Sequence, residues 1–187
     1  MKYEDIALKK VLQFWFEELG QKEWFAGGSE LDEKIVDRFS DIHKLVVAGE
    51  YWKHRTNGQS LLAEVIVLDQ FSRNMFRSSA TAFAQDPMAL ALSQQAIASG
   101  YDTDMTKDEK MFLYMPFMHS ESKVIHEAGL PLFESLENEE TFKFAKVHKD
   151  IIDRFGRYPH RNEQLGREST QEEKEYLENN QESFFAS

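Results

Sequence analysis

The sequence predicts an all-α single domain over 1–187, with about seven to eight helices arranged as antiparallel pairs. Three observations carry this. Apolar residues recur at helical spacing, with no convincing alternation of the strand type. The punctuation between segments is of the helix-capping kind. The chain has fifteen Phe, three Trp and six Tyr in 187 residues, enough to bury a substantial core, and shows neither a fixed-period repeat nor a clear linker.

The first helix is expected over roughly 5–19, ending at Gly20, with Val11, Leu12, Trp15 and Phe16 on one face. The segment Trp24-Phe25-Ala26-Gly27-Gly28-Ser29 reads as a loop with aromatic anchors. Ile35, Phe39, Ile42, Leu45 and Val46 mark a second helix over about 31–48, closed by Gly49. A third, over about 59–74, follows the turn pair Asn57-Gly58. Leu61, Leu62, Val65, Ile66, Val67 and Leu68 make it apolar around most of its circumference, the mark of a buried helix.

Asp86-Pro87 reads as an N-cap with proline at the first helical position, opening a helix to Gly100. Thr106 with Glu109 matches a capping box before Met111–Met118, where Pro116 should bend or restart the helix. Further helices are expected over about 121–136, interrupted near Gly129 and Pro131, and over about 139–155, ending near Gly156. Ser169 with Glu172 forms a second capping box for a short terminal helix, and Phe184–Ser187 reads as a frayed tail.

Composition narrows the functional classes. The net charge of −11 argues against general nucleic-acid binding, which needs a basic face to neutralise phosphates. With no cysteine, disulfides, thiolate catalysis and cysteine-ligated metals are excluded. Met1–Asp5 is acidic where a signal peptide is basic, and no apolar run approaches the ~18 residues of a membrane span. The expectation is a cytoplasmic protein, with no membrane or nucleic-acid partner and no implied cofactor.

Six of the eight arginines fall in two short segments, 69–77 and 154–167. By formal charge these carry +1 and +3, leaving the remainder of the chain near −15. In the first segment Asp69 and Arg73 are i, i+4 neighbours, while Gln70, Asn74 and Arg77 align on an adjacent face. Asp69 continues a buried apolar run, so it needs a partner, and Arg73 is the obvious one. In the second, Gly156 permits a left-handed helix end and Pro159 forces an extended path, so Arg157, His160, Arg161 and Asn162 project from a turn flanked by Arg154 and Arg167. Planar guanidinium forks suit bidentate recognition of carboxylate or phosphate. A third segment, Tyr114 to Glu121, sets His119 two residues from Glu121, a pairing able to supply acid/base chemistry.

These residues resemble the bacterial family catalogued as domain of unknown function 924. The resemblance rests on Val11–Phe16 with Trp24-Phe25, on Leu68–Arg77, on Tyr114–Glu121 and on Phe155–Asn162, and it covers nearly the whole chain. It implies a tetratricopeptide-like helical fold and carries no established activity. The family pattern usually has proline where this chain has Ser72 and phenylalanine where it has Tyr158. The signature includes polar residues as well as aromatics, which favours a site.

Three readings follow. In one, a small anionic ligand is held by Gln70, Arg73, Asn74, Arg77, Tyr114, Arg154, Arg157, Arg161, Asn162 and Arg167, with His119, Glu121, His160 and Asp69 available for catalysis and no metal. In another, a groove between helix pairs takes a peptide. In the last, the arginines only lock helices together by pairing buried carboxylates.

Overall fold

Helix α1, Lys2–Gln13, buries Leu8 and Val11, then widens into a π-helical turn, Phe14–Glu18, that turns Phe14 and Trp15 into the interior. The computed structural model describes residues 2–180. Where a loop was expected, Gln21–Ala26 forms a short helix, α2. The aromatic anchors explain the difference: the Trp24 indole N–H donates to the Trp15 carbonyl at 2.7 Å, and the Trp24 ring meets Phe16 and Phe112 edge-on. Helix α3, Ser29–Val47, buries Leu31, Ile35, Phe39, His43 and Val46 at helical spacing.

Helix α4, Gly58–Ile66, starts where the Asn57 side chain accepts the amide hydrogen of Ser60. Residue 58 is glycine of necessity, because a Cβ there would lie 2.5 Å from the Tyr101 carbonyl oxygen. The helix then passes through a π-helical turn, Val67–Phe71, into α5, Ser72–Met75. The expected third helix is therefore present, with a wide turn inside it that apolar periodicity does not reveal. Every residue from Leu61 to Asp69 is buried. Fully burying one such aliphatic or aromatic side chain contributes ~1.5–3 kcal/mol.

The second half is built from α6, Asp86–Ala98; α7, Lys107–His119; α8, Lys123–Glu134; and α9, Glu139–Phe155. The Thr106 and Glu109 capping box opens α7 as expected. Helix α7 neither ends nor restarts at Pro116. The Ser93 hydroxyl of α6 donates to the Leu113 carbonyl in the turn before the proline, and that turn is buried between neighbouring helices. Helix α8 likewise runs through Gly129 and Pro131. At Gly129 the reason is packing, since a Cβ would come within 2.8 Å of the Phe117 Cβ on α7.

Helix α10, Gln171–Asn179, is opened by Thr170 with Glu173, one residue later than expected. The tail expectation at Phe184–Ser187 lies outside the described residues. Short 3-10 turns occupy Trp52–His54, Ala80–Phe83 and Pro159–Arg161.

Helix α4 is the central element, packed against α1, α6 and α7, while α8 packs on α7 and α9. One continuous apolar cluster runs from Leu8 to Ala145, centred on Phe14, Trp15, Phe39, Phe71 and Phe112. A smaller cluster of Ile151, Ile152 and Tyr158 sits at the end of α9 against Phe155 and Tyr176. The fold is all-helical, and no strand occurs among the described residues. No helix among them is long and apolar enough to cross a membrane.

Candidate functional site

The π-helical turn creates the first half of the site. A wide turn followed by a helix end loosens the regular ladder, and side chains from the same segment take its carbonyls. Ser72 Oγ donates to the Val67 carbonyl at 3.4 Å, Arg73 Nη1 to that of Asp69 at 2.8 Å, and Asn74 Nδ2 to that of Gln70 at 2.9 Å. The Asp69 carboxylate is fully buried. It faces Arg73 Nη1 at 3.0 Å, His119 Nδ1 at 2.7 Å and Gln70 Nε2 at 2.6 Å. Burial favours the neutral acid, but the charge of Arg73, helped by the hydrogen bonds from His119 and Gln70, outweighs it and holds the carboxyl well below its usual range.

The second half comes from the end of α9. Gly156, at φ +70°, closes the helix in the left-handed conformation. The chain then drops into the 3-10 turn Pro159–Arg161, with the Tyr158 amide donating to Glu121 Oε1 at 2.8 Å. The Tyr158 ring is fully buried. Its hydroxyl donates to the Met118 carbonyl at the end of α7 and lies 3.2 Å from His126 Nε2. These contacts carry the 154–162 segment onto the end of α7.

The two halves meet at Asp86. Arg73 grips this carboxylate with Nη1 at 2.9 Å and Nη2 at 3.0 Å, and Arg161 Nη1 reaches its Oδ2 at 3.2 Å and the His119 carbonyl at 3.1 Å. Asp86 does not cap its helix as expected. No side chain caps α6, because the Asp86 oxygens are taken by two arginines. The Arg161 guanidinium packs against two aromatic rings, 4.5 Å from the centroids of both Phe83 and Tyr158.

Beside this centre, Arg167 holds Glu121 through Nη1 at 2.6 Å and Nη2 at 2.9 Å, and its Nε donates to Asn162 Oδ1 at 2.9 Å. Burial works against the Glu121 charge, but the Arg167 hydrogen bonds and the Tyr158 amide together keep the carboxyl below its ordinary range.

Asp69, Gln70, Arg73, His119 and Arg161 are thus brought together, with Glu121, Asn162 and Arg167 adjoining. Of the other candidates, all but His160 lie elsewhere. Arg77 turns toward Asp32 of α3, which it holds at 2.8 and 2.9 Å, and its Nη2 also donates to Asn74 Oδ1 at 3.2 Å. The Tyr114 hydroxyl donates to Asp102 at 2.7 Å. Arg154 and Arg157 clamp Glu172 and Glu173 of α10. His160 stacks on the Tyr158 ring at 5.4 Å.

Sequence reasoning missed Asp86 and Phe83, and with them His126 and His148, whose rings lie 6.3 and 5.7 Å from that of Tyr158. Asp86 carried a misleading local signal in the following proline. The other three carried none.

The imidazoles here are all pushed toward the neutral form. Burial, then the charge of Arg73, lowers His119. Burial followed by Arg161 brings His160 down to about 3, and burial opposed by the Phe144 carbonyl leaves His148 at about 4. At neutral pH, His119 with its Nδ1–H directed at Asp69 presents an unprotonated Nε2. That nitrogen makes no hydrogen bond to the described residues.

Arg161 differs from every other arginine. The remaining seven each hold a carboxylate with two nitrogens, and in Arg55, Arg77, Arg154 and Arg157 the gripping edge is Nε with Nη2. In Arg161 that edge has no acceptor among the described residues: Nε is buried without a partner, and both protein contacts use Nη1. The charge balance agrees. Arg38, Arg73, Arg77 and Arg157 are all stabilised as cations by their carboxylates, whereas burial and then Arg73 disfavour the charge on Arg161.

Fold and site together define an all-helical protein with a lattice of arginine–carboxylate pairs between its helices. Residues 11–181 match the family described as bacterial protein of unknown function (DUF924), and the chain belongs to that family. It is similar to the solved structure of a protein of unknown function from Agrobacterium tumefaciens, with 35% identity, a TM-score of 0.89, and coverage of 94% of this chain and 98% of the other. Among curated proteins, none matches.

Proposed function

We propose that the chain is a small-molecule-binding protein whose site takes an anion at Arg161. One observation carries the reading: Arg161 is only 5% exposed and packs against Phe83 and Tyr158, yet its Nε and Nη2 edge has no acceptor among the described residues. A buried donor left unmade costs ~1–3 kcal/mol, which an oxyanion gripping that edge would recover.

Arg73 and Asp86 fix the guanidinium in place, Asp69 orients His119, and Glu121 with Arg167 and Asn162 secures the loop that carries Arg161. His119, with Asp69 behind it, is the group in this reading that can exchange a proton with a ligand. The tetratricopeptide-like scaffold suggested by the four sequence motifs would supply the frame. The net charge of −11 speaks against a nucleic-acid partner.

Thermal denaturation in millimolar phosphate, sulfate, acetate and glycolate tests the proposal. An anion at ten times its Kd stabilises the fold by about 1.4 kcal/mol, which raises Tm by roughly 3–6 °C in a chain of this size. Arg161→Lys, which keeps a charge beside Asp86 but lacks the planar fork, is expected to lose that response. Arg157→Ala, on the far clamp to α10, should retain it. Absence of stabilisation by every anion, or an unchanged response in Arg161→Lys, overturns the proposal.

A further inference from the structure

Beyond binding an anion, the site has features that select which one. Residue 119 takes part twice. Its carbonyl accepts from Arg161 Nη1 at 3.1 Å, and its imidazole is turned by Asp69, 2.7 Å from Nδ1. Asp69 is fully buried and is itself held by Arg73 and Gln70, so the ring is fixed in the tautomer with the proton on Nδ1. Nε2 is then an acceptor, and the side chain is 14% exposed. Burial and Arg73 keep the ring neutral at ordinary pH, so Nε2 does not turn into a donor. Arg161 and His119 therefore offer two unlike functions: a guanidinium edge that wants charged oxygens, and a lone pair that wants a hydrogen.

We infer that the site selects an oxyanion carrying its own O–H, as in a hydrogen phosphate group or a hydroxycarboxylate, with Arg161 Nε and Nη2 on its charged oxygens and His119 Nε2 accepting from its hydroxyl. This rests on the anion-binding reading above and adds a rule of discrimination to it. A fully deprotonated tetrahedral anion such as sulfate would satisfy Arg161 but leave a lone pair facing a lone pair at His119. A site built to hydrogen-bond a hydroxyl rejects the analogue that lacks one, because its own polar group is then left unpaired.

Two matched pairs of probes decide the matter by titration calorimetry on the full chain at neutral pH: phosphate against sulfate, and glycolate against acetate. Phosphate should bind at least about tenfold more tightly than sulfate if the ligand is a hydrogen phosphate. Glycolate should beat acetate by a similar factor if it is a hydroxycarboxylate. In His119→Asn the amide nitrogen takes the place of Nδ1 and keeps a donor toward Asp69, while the Nε2 acceptor is gone. This variant should bind both members of the preferred pair within about twofold of each other.

Equal binding within both pairs by the unaltered chain overturns the inference while leaving the anion site standing, and it needs no variant to fold. Retention of the full preference by His119→Asn also overturns it. Failure of all four probes to bind removes the anion site itself.

Discussion

Asp69→Ala is the most direct test of how much the inter-helix network holds the fold together. The wild-type carboxylate has no solvent exposure and three partners, Arg73, His119 and Gln70. Removing it leaves Arg73 with its bidentate grip on Asp86, so the guanidinium is not stranded. The two other donors lose their acceptor. Breaking one side of a buried pair costs ~3–5 kcal/mol, and the surviving Asp86 contact places this case toward the lower end, about 3 kcal/mol. At ~2–4 °C per kcal/mol for a chain of this length, Tm should fall by roughly 6–12 °C.

Urea denaturation followed by far-UV circular dichroism measures the free energy directly. Asp32→Ala is the matched control. Its partner Arg77 is 47% exposed, and its loss should cost no more than about 1 kcal/mol. If Asp69→Ala costs as little as the control, the buried network is not what joins α5, α6 and α7. Asp69 also has a pH signature. Its folded pKa lies below the unfolded value, so its stabilisation is present above pH ~3.9 and is lost as pH falls below it. Asp69→Asn should flatten that acid limb.

The histidines predict a second limb. His119, His126, His148 and His160 all have folded pKa values below the unfolded ~6.5, so the unfolded chain takes up protons first and stability should decline as pH falls from ~6.5 toward ~4. Urea midpoints across that range should show the fall, and His160→Gln should reduce it. A flat profile in the unaltered chain would contradict the neutral-imidazole cluster. Tyr158→Phe, which restores the residue usual in the family pattern, removes the hydroxyl from Met118 and His126 and should cost about 1–2 kcal/mol by the same denaturation assay. Gly58→Ala sits in a helix, where alanine ordinarily gains ~1 kcal/mol. Here the new Cβ meets backbone at 2.5 Å, so a net loss is expected, and a gain in Tm would disprove the close packing of α4 on Tyr101.

How much of this was legible in the sequence depended on the range of the interaction that decides it. Helix α4 was readable because an apolar face wrapping most of a helix can only be buried. The π-helical turn inside it was not, since one extra residue per turn leaves the run apolar throughout. Thr106 and Glu109 were readable as a local box. At the C-terminal helix two overlapping boxes fit the sequence, and the choice between them is made at a distance: Asn162 takes Ser169, and Arg157 grips Glu173. The hydrogen bond from Arg157 outweighs the burial that opposes it and, with the Thr170 amide, brings the Glu173 pKa down to about 2. Asp86 was misread for the same reason. Its partners lie 13 and 75 residues away, and no local pattern announces them. Within the site, Asp69 with Arg73 was visible as a helical pair, whereas the meeting of His119 with Asp69 across 50 residues was not.

The saturation of the surrounding arginines is what gives the free edge of Arg161 its weight. On an exposed, flexible arginine an unpaired nitrogen means little, because water serves it and ordering the side chain on binding costs up to ~1.5 kcal/mol. Arg161 has already lost that freedom in folding. Asp86 and the His119 carbonyl fix one nitrogen, and the guanidinium packs against the Phe83 and Tyr158 rings, 4.5 Å from each centroid. A ligand there faces an oriented fork and has mainly its own desolvation to overcome. Lysine could neutralise Asp86 from the same backbone position but would present no second edge, so the ion pair alone does not require arginine at 161. The ion-pair lattice and the binding site are then one device: the pairs that lock the helices also hold the unpaired edge in place.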